Sequence, residues 1–223
     1  MDAKLTEDAV PVALHDATLD RTTNCSGEVR SCTRAELESC RTDVLGSPGS
    51  PLPTKAASKS ARIITIRSLL QFARRAGAEV NLEIKNVPTD PDYDTTPAYA
   101  NRVMDAVIAS RIPRKQLIIQ SFIPANLDVA RQRLPGVRTS LLGLQSINEL
   151  YLQTATTKHY DLISPEWPVS AEYVTRAHAA GLDVAPFTLD AKADVRTARK
   201  ARVDALITDD PFMAGRAIGL RLR

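Results

Sequence analysis

The sequence contains little of what several common protein classes require. Its 223 residues include only three cysteines and 4% aromatic residues, and 29 Lys and Arg against 26 Asp and Glu give a formal charge of +3. Because the basic surplus is scattered, we expect no nucleic-acid partner. No apolar run approaches the roughly 18 residues that cross a bilayer, and charges begin at Asp2. We therefore expect neither a membrane span nor a signal peptide in the chain as given.

The three cysteines lie close together in the sequence, at Cys25, Cys32 and Cys40. Their spacing matches no zinc-binding pattern. They are either ordinary small buried residues or the source of one loop disulfide in a secreted enzyme. Whichever pair forms a disulfide, the odd count leaves one thiol over.

Short apolar runs alternate with amphipathic helical stretches along almost the whole chain. The 43% hydrophobic content is enough for one sizeable core or two small ones, and we expect a single domain over residues 1–223. The alternation predicts an α/β fold with a parallel sheet and crossover helices. Seven parallel strands are predicted, at 1–5, 80–84, 117–121, 137–141, 161–164, 183–187 and 204–207. Helices are predicted from Ile66, from Ala100, and at 124–133, 146–156, 169–180, 191–201 and 210–217.

Two further segments do not fit the alternation. Residues 9–15, AVPVALH, form an extra extended segment, and residues 47–60 are rich in Pro, Gly and Ser, which predicts a surface loop. Seven strands are one fewer than the eight that close a β/α barrel of about 250 residues. The pattern therefore predicts a barrel with its first strand missing.

The segment VNLEIK places charged residues on one side of a predicted strand. Glu83 and Lys85 alternate with apolar residues, so both point away from the apolar face. In a β/α barrel this face points inward, near the strand end where active sites are built. A structural ion pair is the alternative, although desolvating two charges seldom gives net stability.

His15 and Asp2 each lie on the side of an extended segment that is opposite its apolar residues. His15 faces away from the apolar side of AVPVALHD, and an imidazole near carboxylates is a natural proton donor or acceptor. Asp2 adds a second hard oxygen ligand beside Glu83. Two carboxylates with a nearby lysine suit a divalent cation and a phosphate ester.

Several motifs in order give a specific resemblance. The run DAKLTEDAVPVALHDATLDRTTNCSG, followed by VNLEIK, QSF, RAHAAG, PFTLD and LITDDP, resembles the glycerophosphodiester phosphodiesterase family from Asp2 to Pro211. The resemblance implies a TIM (β/α)8-type barrel of the phospholipase-C-like phosphodiesterase kind. It also implies hydrolysis of glycerophosphodiesters to glycerol 3-phosphate and an alcohol, within lipid metabolism, with one divalent cation, Mg²⁺ or Ca²⁺.

The resemblance assigns roles to individual residues. His15 matches one of two catalytic histidines, Asp2 and Glu83 match metal carboxylates, and Lys85 matches the lysine near the substrate phosphate. Substrate-binding positions are expected at Gln120, Phe122 and Phe187, and Phe187 stands where the family usually has a tryptophan. We hypothesise that His15 is the leaving-group acid, although the sequence does not separate this role from that of the base.

The chain also departs from the family pattern. The first barrel strand and helix, a His-Arg-Gly motif and one metal glutamate are absent. Three explanations are open: a family enzyme whose written sequence is an N-terminal fragment, an inactive relative that only binds phosphodiesters, and a rearranged site that recruits His159 or His178. We expect both of these histidines to be structural or surface residues, and the chain alone to be poorly stable and inactive.

Substrate class and compartment leave further alternatives. A sphingomyelinase-D-like transferase, which cyclises its substrate, is the alternative enzyme. The expected partner is a small glycerophosphodiester molecule. The cysteine cluster and the loop resemble secreted members, but the sequence leaves the compartment open between the exterior and the cytoplasm.

Overall fold

The computed structural model describes residues 1–42 and 61–220. These residues form two compact units, which divide between Thr139 and Ser140. The surface loop predicted at 47–60 lies outside the described residues, and the expectation of one domain over residues 1–223 stays a prediction.

The first unit contains four strands in the order β2-β1-β3-β4. They are β1 (Asp2–Leu5), β2 (Pro11–Ala13), β3 (Val80–Ile84) and β4 (Leu117–Ser121). Strands β1, β3 and β4 are mutually parallel neighbours, whereas β2 pairs antiparallel with β1. The extra extended segment predicted at 9–15 is therefore β2. The register places Asp2, at the amino end of β1, beside the carboxyl end of β3, which is level with the carboxyl end of β4. We call the edge formed by these carboxyl ends the carboxyl edge.

Three helices complete the first unit: α1 (Ile66–Ala76), α2 (Ala98–Ser110) and α3 (Pro124–Arg133). The Thr65 hydroxyl caps α1 by accepting a hydrogen bond from the Ser68 amide at 3.2 Å. Gly77 ends the helix at φ 67°, a left-handed conformation that glycine adopts without steric cost. Residues of α1 that recur at helical spacing, among them Ile66 and Leu70, are fully buried.

The second unit contains parallel strands in the order β5-β6-β7. They are β5 (Arg138–Gly143), β6 (Leu162–Pro165) and β7 (Asp183–Val184). The helices of this unit are α4 (Asn148–Thr157), α5 (Ala171–Ala179), α6 (Lys192–Lys200) and α7 (Pro211–Ala217). The predicted alternation of strands and helices is confirmed, with bounds shifted by a few residues.

The prediction of a strand at 204–207 is wrong, and the strand predicted at 183–187 ends at Val184. The amides of Asp204 and Ala205 both donate to the Val184 carbonyl, so the segments are joined without a regular ladder. Pro186 has no N–H to donate at the point where a ladder would continue. The apolar run at 204–207 therefore lies beside β7, as a strand would, but it does not form a regular strand.

The cysteines belong to a buried apolar cluster of the first unit. Cys25 and Cys40 form a disulfide with a Cα–Cα distance of 5.6 Å, and both contact the core that contains Val12 and Leu37. Cys32 is a free, partly buried thiol, and burial raises its pKa. Of the two interpretations left open by the sequence, the structure therefore contains the disulfide. Within residues 1–42 and 61–220, no helix has the length and apolar content of a membrane span.

Candidate active site

Polar side chains form a row across three neighbouring strands of the first unit. Asp2 of β1 is directly opposite Glu83 of β3, and Glu83 is directly opposite Gln120 of β4. Residues in register on parallel strands project to the same face of the sheet. The Asn81 side-chain amide also donates to Gln120 Oε1 at 3.1 Å. Strand register therefore brings three of the predicted site residues, Asp2, Glu83 and Gln120, together.

Glu83 is a buried acid of this row, and its pKa is raised. It is 6% exposed, and its Oε1 has no hydrogen-bond partner in the structure. Burial raises the pKa of Glu83 to about 8; the Lys85 ammonium opposes this rise, and the neighbouring Asp2 carboxylate adds to it. A buried carboxyl with an unpaired oxygen is costly for stability, which is typical of groups that serve a function.

Lys85 joins Glu83 to His15. Its ammonium nitrogen lies 3.6 Å from Glu83 Oε2 and 3.0 Å from His15 Nε2. Lys85 follows β3 directly, so its side chain leaves the sheet at the carboxyl edge. The Lys85 amine therefore contacts both the Glu83 carboxylate and the His15 imidazole.

The β1–β2 hairpin brings His15 to this edge. Ala13 pairs with Ala3, and the Leu14 amide donates to the Asp2 carbonyl at 3.1 Å. His15 comes next in the chain, and its side chain is 58% exposed. The hairpin therefore places a solvent-accessible imidazole beside the end of the strand that carries Asp2.

Asp16 and Arg21 determine which nitrogen of His15 is available. His15 Nδ1 lies 2.7 Å from Asp16 Oδ1, and Arg21 donates to both oxygens of Asp16 at 2.5 and 2.8 Å. Hydrogen bonds from Arg21, and secondarily from His15, lower the pKa of Asp16 to about 2. Because the ionised Asp16 can only accept, Nδ1 carries the proton, and Nε2 accepts from Lys85. Sequence reasoning did not include Arg21, although the i, i+5 spacing to Asp16 was visible.

Two carboxylates of the site are suitable ligands for a divalent cation. Asp2 and Glu83 are hard ligands in register, and the unpaired Glu83 Oε1 is a buried acceptor that such an ion would satisfy. Within the described ranges no group of three or more His, Cys, Asp or Glu residues could hold a metal. The described residues therefore offer two carboxylates to a cation, fewer ligands than a complete coordination shell needs.

The two predicted aromatic positions lie in different units. Phe122 immediately follows β4 and is partly buried, next to Ser121, whose hydroxyl donates to the Ile84 carbonyl at 3.0 Å. Phe187 belongs to the second unit, where it is partly buried and its amide donates to the Pro165 carbonyl at 3.1 Å. Phe122 is thus adjacent in sequence to the polar row, whereas Phe187 stays a predicted substrate contact.

The other two histidines also belong to the second unit. His178 Nε2 lies 2.9 Å from Asp204 Oδ2, and the Asp204 carboxylate also accepts from the Val184 amide at 2.8 Å. His159 follows α4 in a left-handed conformation, at φ 52°. The partners of His178 suit a structural role, as expected from the sequence.

The sequence profile of the glycerophosphoryl diester phosphodiesterase family matches residues 1–213. The chain belongs to this family. A curated glycerophosphodiester phosphodiesterase of Caldanaerobacter subterraneus subsp. tengcongensis is 28% identical over 211 residues, which are 95% of this chain and 81% of the relative. The family resemblance inferred from the motifs is therefore confirmed, and the family is one of phosphoric diester hydrolases.

Solved structures are similar to this glycerophosphoryl diester phosphodiesterase family member over nearly its whole length. A Silicibacter pomeroyi protein with the same family description has a TM-score of 0.81 at 25% identity, with 100% of this chain and 84% of that chain covered. An Oleispira antarctica phosphodiesterase, solved with the product sn-glycerol-3-phosphate, has a TM-score of 0.77 at 20% identity, covering 97% and 83%. The expected fold class, α/β of the TIM-barrel type, is confirmed.

Proposed function

We propose that this chain hydrolyses glycerophosphodiesters to glycerol 3-phosphate and an alcohol, with the aid of one divalent cation, Mg²⁺ or Ca²⁺. The observation that carries the proposal is the contact series from Glu83 through Lys85 to His15, beside Asp2. It combines carboxylates, an ammonium and an imidazole within one unit. Glycerol phosphate as the product type is supported by the Oleispira antarctica phosphodiesterase, which was solved with sn-glycerol-3-phosphate.

Lys85 is the residue proposed to bind the phosphate. A phosphodiester is anionic, and further charge develops on its oxygens as the bond to the leaving alcohol breaks. The Lys85 side chain is only 13% exposed, so the interaction of its ammonium with an anion is less screened by water than that of a surface lysine. We therefore assign to Lys85 the binding and charge stabilisation of a phosphoryl oxygen.

His15 is proposed to transfer the proton at its Nε2 atom. In the structure this nitrogen accepts a hydrogen bond from Lys85, while Asp16 holds the ring through Nδ1. His15 must therefore take up a proton before it can donate one to a leaving alcohol. General acid–base assistance of this kind contributes about 100 to 10,000-fold in rate. The leaving-group-acid role stays our hypothesis for His15.

Asp2 and Glu83 are proposed to hold the cation. When bound, a divalent cation neutralises developing charge on phosphoryl oxygens and orients the ester. Glu83 would offer its unpaired Oε1, and Asp2 is its neighbour in strand register. Gln120 and Phe122 at the end of β4 are proposed to contact the substrate, as is Phe187.

Phosphorus NMR of the purified chain with glycerophosphocholine and Mg²⁺ or Ca²⁺ tests the proposal. The proposal expects glycerol 3-phosphate to form, contrary to the inactive chain expected from the sequence alone. It also expects this formation to be lost in His15→Ala but retained in His159→Ala, a control histidine of the second unit. A cyclic phosphate product would instead favour the sphingomyelinase-D-like transferase. Binding of glycerophosphocholine without any turnover would favour the inactive relative.

A further inference from the structure

Lys4 is a fully buried lysine in the middle of β1. Its exposure is 0%, although it lies two residues after the proposed metal ligand Asp2, on the same face of β1. Burying an ammonium is costly unless every charge and hydrogen bond is compensated. A lysine retained at such a position needs an explanation beyond packing.

The three N–H groups of the Lys4 ammonium have three acceptors. Asp90 Oδ2 lies at 2.5 Å, Asp92 Oδ1 at 3.0 Å, and the backbone carbonyl oxygen of Lys85 at 3.0 Å. An ammonium has three donors, so its capacity is used in full. The two aspartates compensate the charge, whereas the third bond fixes the backbone of Lys85.

The Lys85 carbonyl is held from a second direction by Tyr99. The Tyr99 hydroxyl lies 3.2 Å from this carbonyl and 2.9 Å from the carbonyl of Ala3 in β1. Burial is the main cause that raises the pKa of Tyr99, so its hydroxyl remains a donor at neutral pH. Lys4 therefore donates to this carbonyl where the chain leaves β3, and the Lys85 and Ala3 carbonyls share the single Tyr99 hydroxyl proton.

Lys4 also fixes the loop that follows Lys85. Asp90 and Asp92 lie between Asn86 and Asp94, which close the loop through reciprocal hydrogen bonds of 2.8 Å. The polar loop is thereby attached to β1 through the Lys4 ammonium. The Lys85 side chain then extends from a backbone that is restrained at its carbonyl and in the following loop.

We propose that Lys4 is a positioning residue for Lys85. By holding the Lys85 carbonyl and the following loop, Lys4 keeps the Lys85 amine within reach of His15 Nε2 and Glu83 Oε2. Its own amine bonds to none of His15, Glu83 and Asp2 in the described contacts, so it acts through Lys85. The consequence for turnover rests on the proposed phosphodiesterase function.

Amine labelling tests the positioning role without any enzyme assay. The variant Lys4→Met/Asp90→Asn/Asp92→Asn removes the ammonium and the charges it compensates. A brief pulse of acetic anhydride, read by mass spectrometry, should label Lys85 several-fold faster in this variant than in the parent. The exposed Lys115 serves as the internal reference. An unchanged Lys85 rate in a folded variant would overturn the proposal.

A second variant decides the question if the triple variant does not fold. Tyr99→Phe removes only one hydroxyl, which donates to the same Lys85 carbonyl. The proposal expects a smaller but measurable acceleration of Lys85 labelling in this variant. Equal labelling of Lys85 in Tyr99→Phe and in the parent would then overturn it.

Kinetics separate positioning from a purely structural role. Because small displacements of a catalytic group are costly, the triple variant should lower kcat by about 10 to 100-fold. The same changes in a Lys85→Met background should lower it no further, and Lys115→Met should leave it unchanged. An equal loss in both backgrounds would show a structural role and contradict the proposal. Absence of activity in the parent would overturn the proposed function alone, because the labelling result is independent of turnover.

Discussion

The Lys85 amine lies 3.0 Å from Nε2 of His15, a residue 70 positions away in the chain. Asp16 accepts a hydrogen bond from the protonated Nδ1, so the imidazole presents its Nε2 lone pair to the Lys85 ammonium. The same amine lies 3.6 Å from Glu83 Oε2, near the carboxyl end of β3. We expect a bound phosphodiester to accept the Lys85 hydrogen bond that His15 Nε2 accepts in the structure.

His15→Ala should affect substrates according to their leaving groups. If His15 protonates the departing alcohol, the variant should lose about 100-fold or more with glycerophosphocholine, yet lose little with a nitrophenyl ester whose leaving group needs no proton. Steady-state rates with both substrates, measured across pH, provide the comparison. An equally large loss with the nitrophenyl ester would remove the leaving-group-acid assignment.

Glu83→Gln should weaken divalent cation binding. The substitution retains the size of the side chain but replaces a carboxylate, the preferred ligand of Mg²⁺ and Ca²⁺, with an amide. Isothermal titration should give at least about 10-fold weaker binding than in the parent, since one charged ligand is lost. Glu79→Gln, an exposed residue just before β3, is the matched control. Identical affinity of the parent and Glu83→Gln would exclude Glu83 from the cation site.

Arg21→Met should lower stability in a pH-dependent manner. The pKa of Asp16 is about 2 in the folded chain and 3.8 in its ordinary state, so the pair contributes stability above pH 4 that is lost as pH falls toward 2. The partly exposed pair should be worth about 1–2 kcal/mol at pH 7. Urea unfolding from pH 3 to 7 measures it, with the exposed Arg67→Met as the control. A destabilisation that stays constant with pH would contradict this account.

Removal of the Cys25–Cys40 disulfide should destabilise the first unit. The bond closes a loop with a sequence separation of 15 residues. Loop-closure entropy predicts a loss of about 3 kcal/mol in Cys25→Ser/Cys40→Ser. Denaturation curves of this variant and of Cys32→Ser, which alters only the free thiol, should differ clearly. Equal stability of the two variants would mean that the disulfide contributes little.

Much of the fold followed from local patterns. The strands at 80–84 and 117–121 and the helix at 124–133 have the predicted bounds, because alternating or helical apolar spacing was strong there. The strand prediction at 204–207 was wrong because an apolar run does not reveal that Pro186 interrupts the hydrogen-bond ladder with the neighbouring segment. Local periodicity reports burial, and only the hydrogen-bonding partner determines whether a buried segment is a strand.

The sequence by itself determined the family, the parallel α/β order and the polar face that carries Glu83 and Lys85, because these depend on residue type and on short-range spacing. Only the tertiary structure decided which partners those residues have. Three contacts join distant or irregular segments of the chain. They are the hydrogen bond from Lys85 to His15, the ion pair of Arg21 with Asp16, and the ion pairs of buried Lys4 with Asp90 and Asp92. Such contacts depend on strand register and on loop conformation, which no periodicity in the chain encodes.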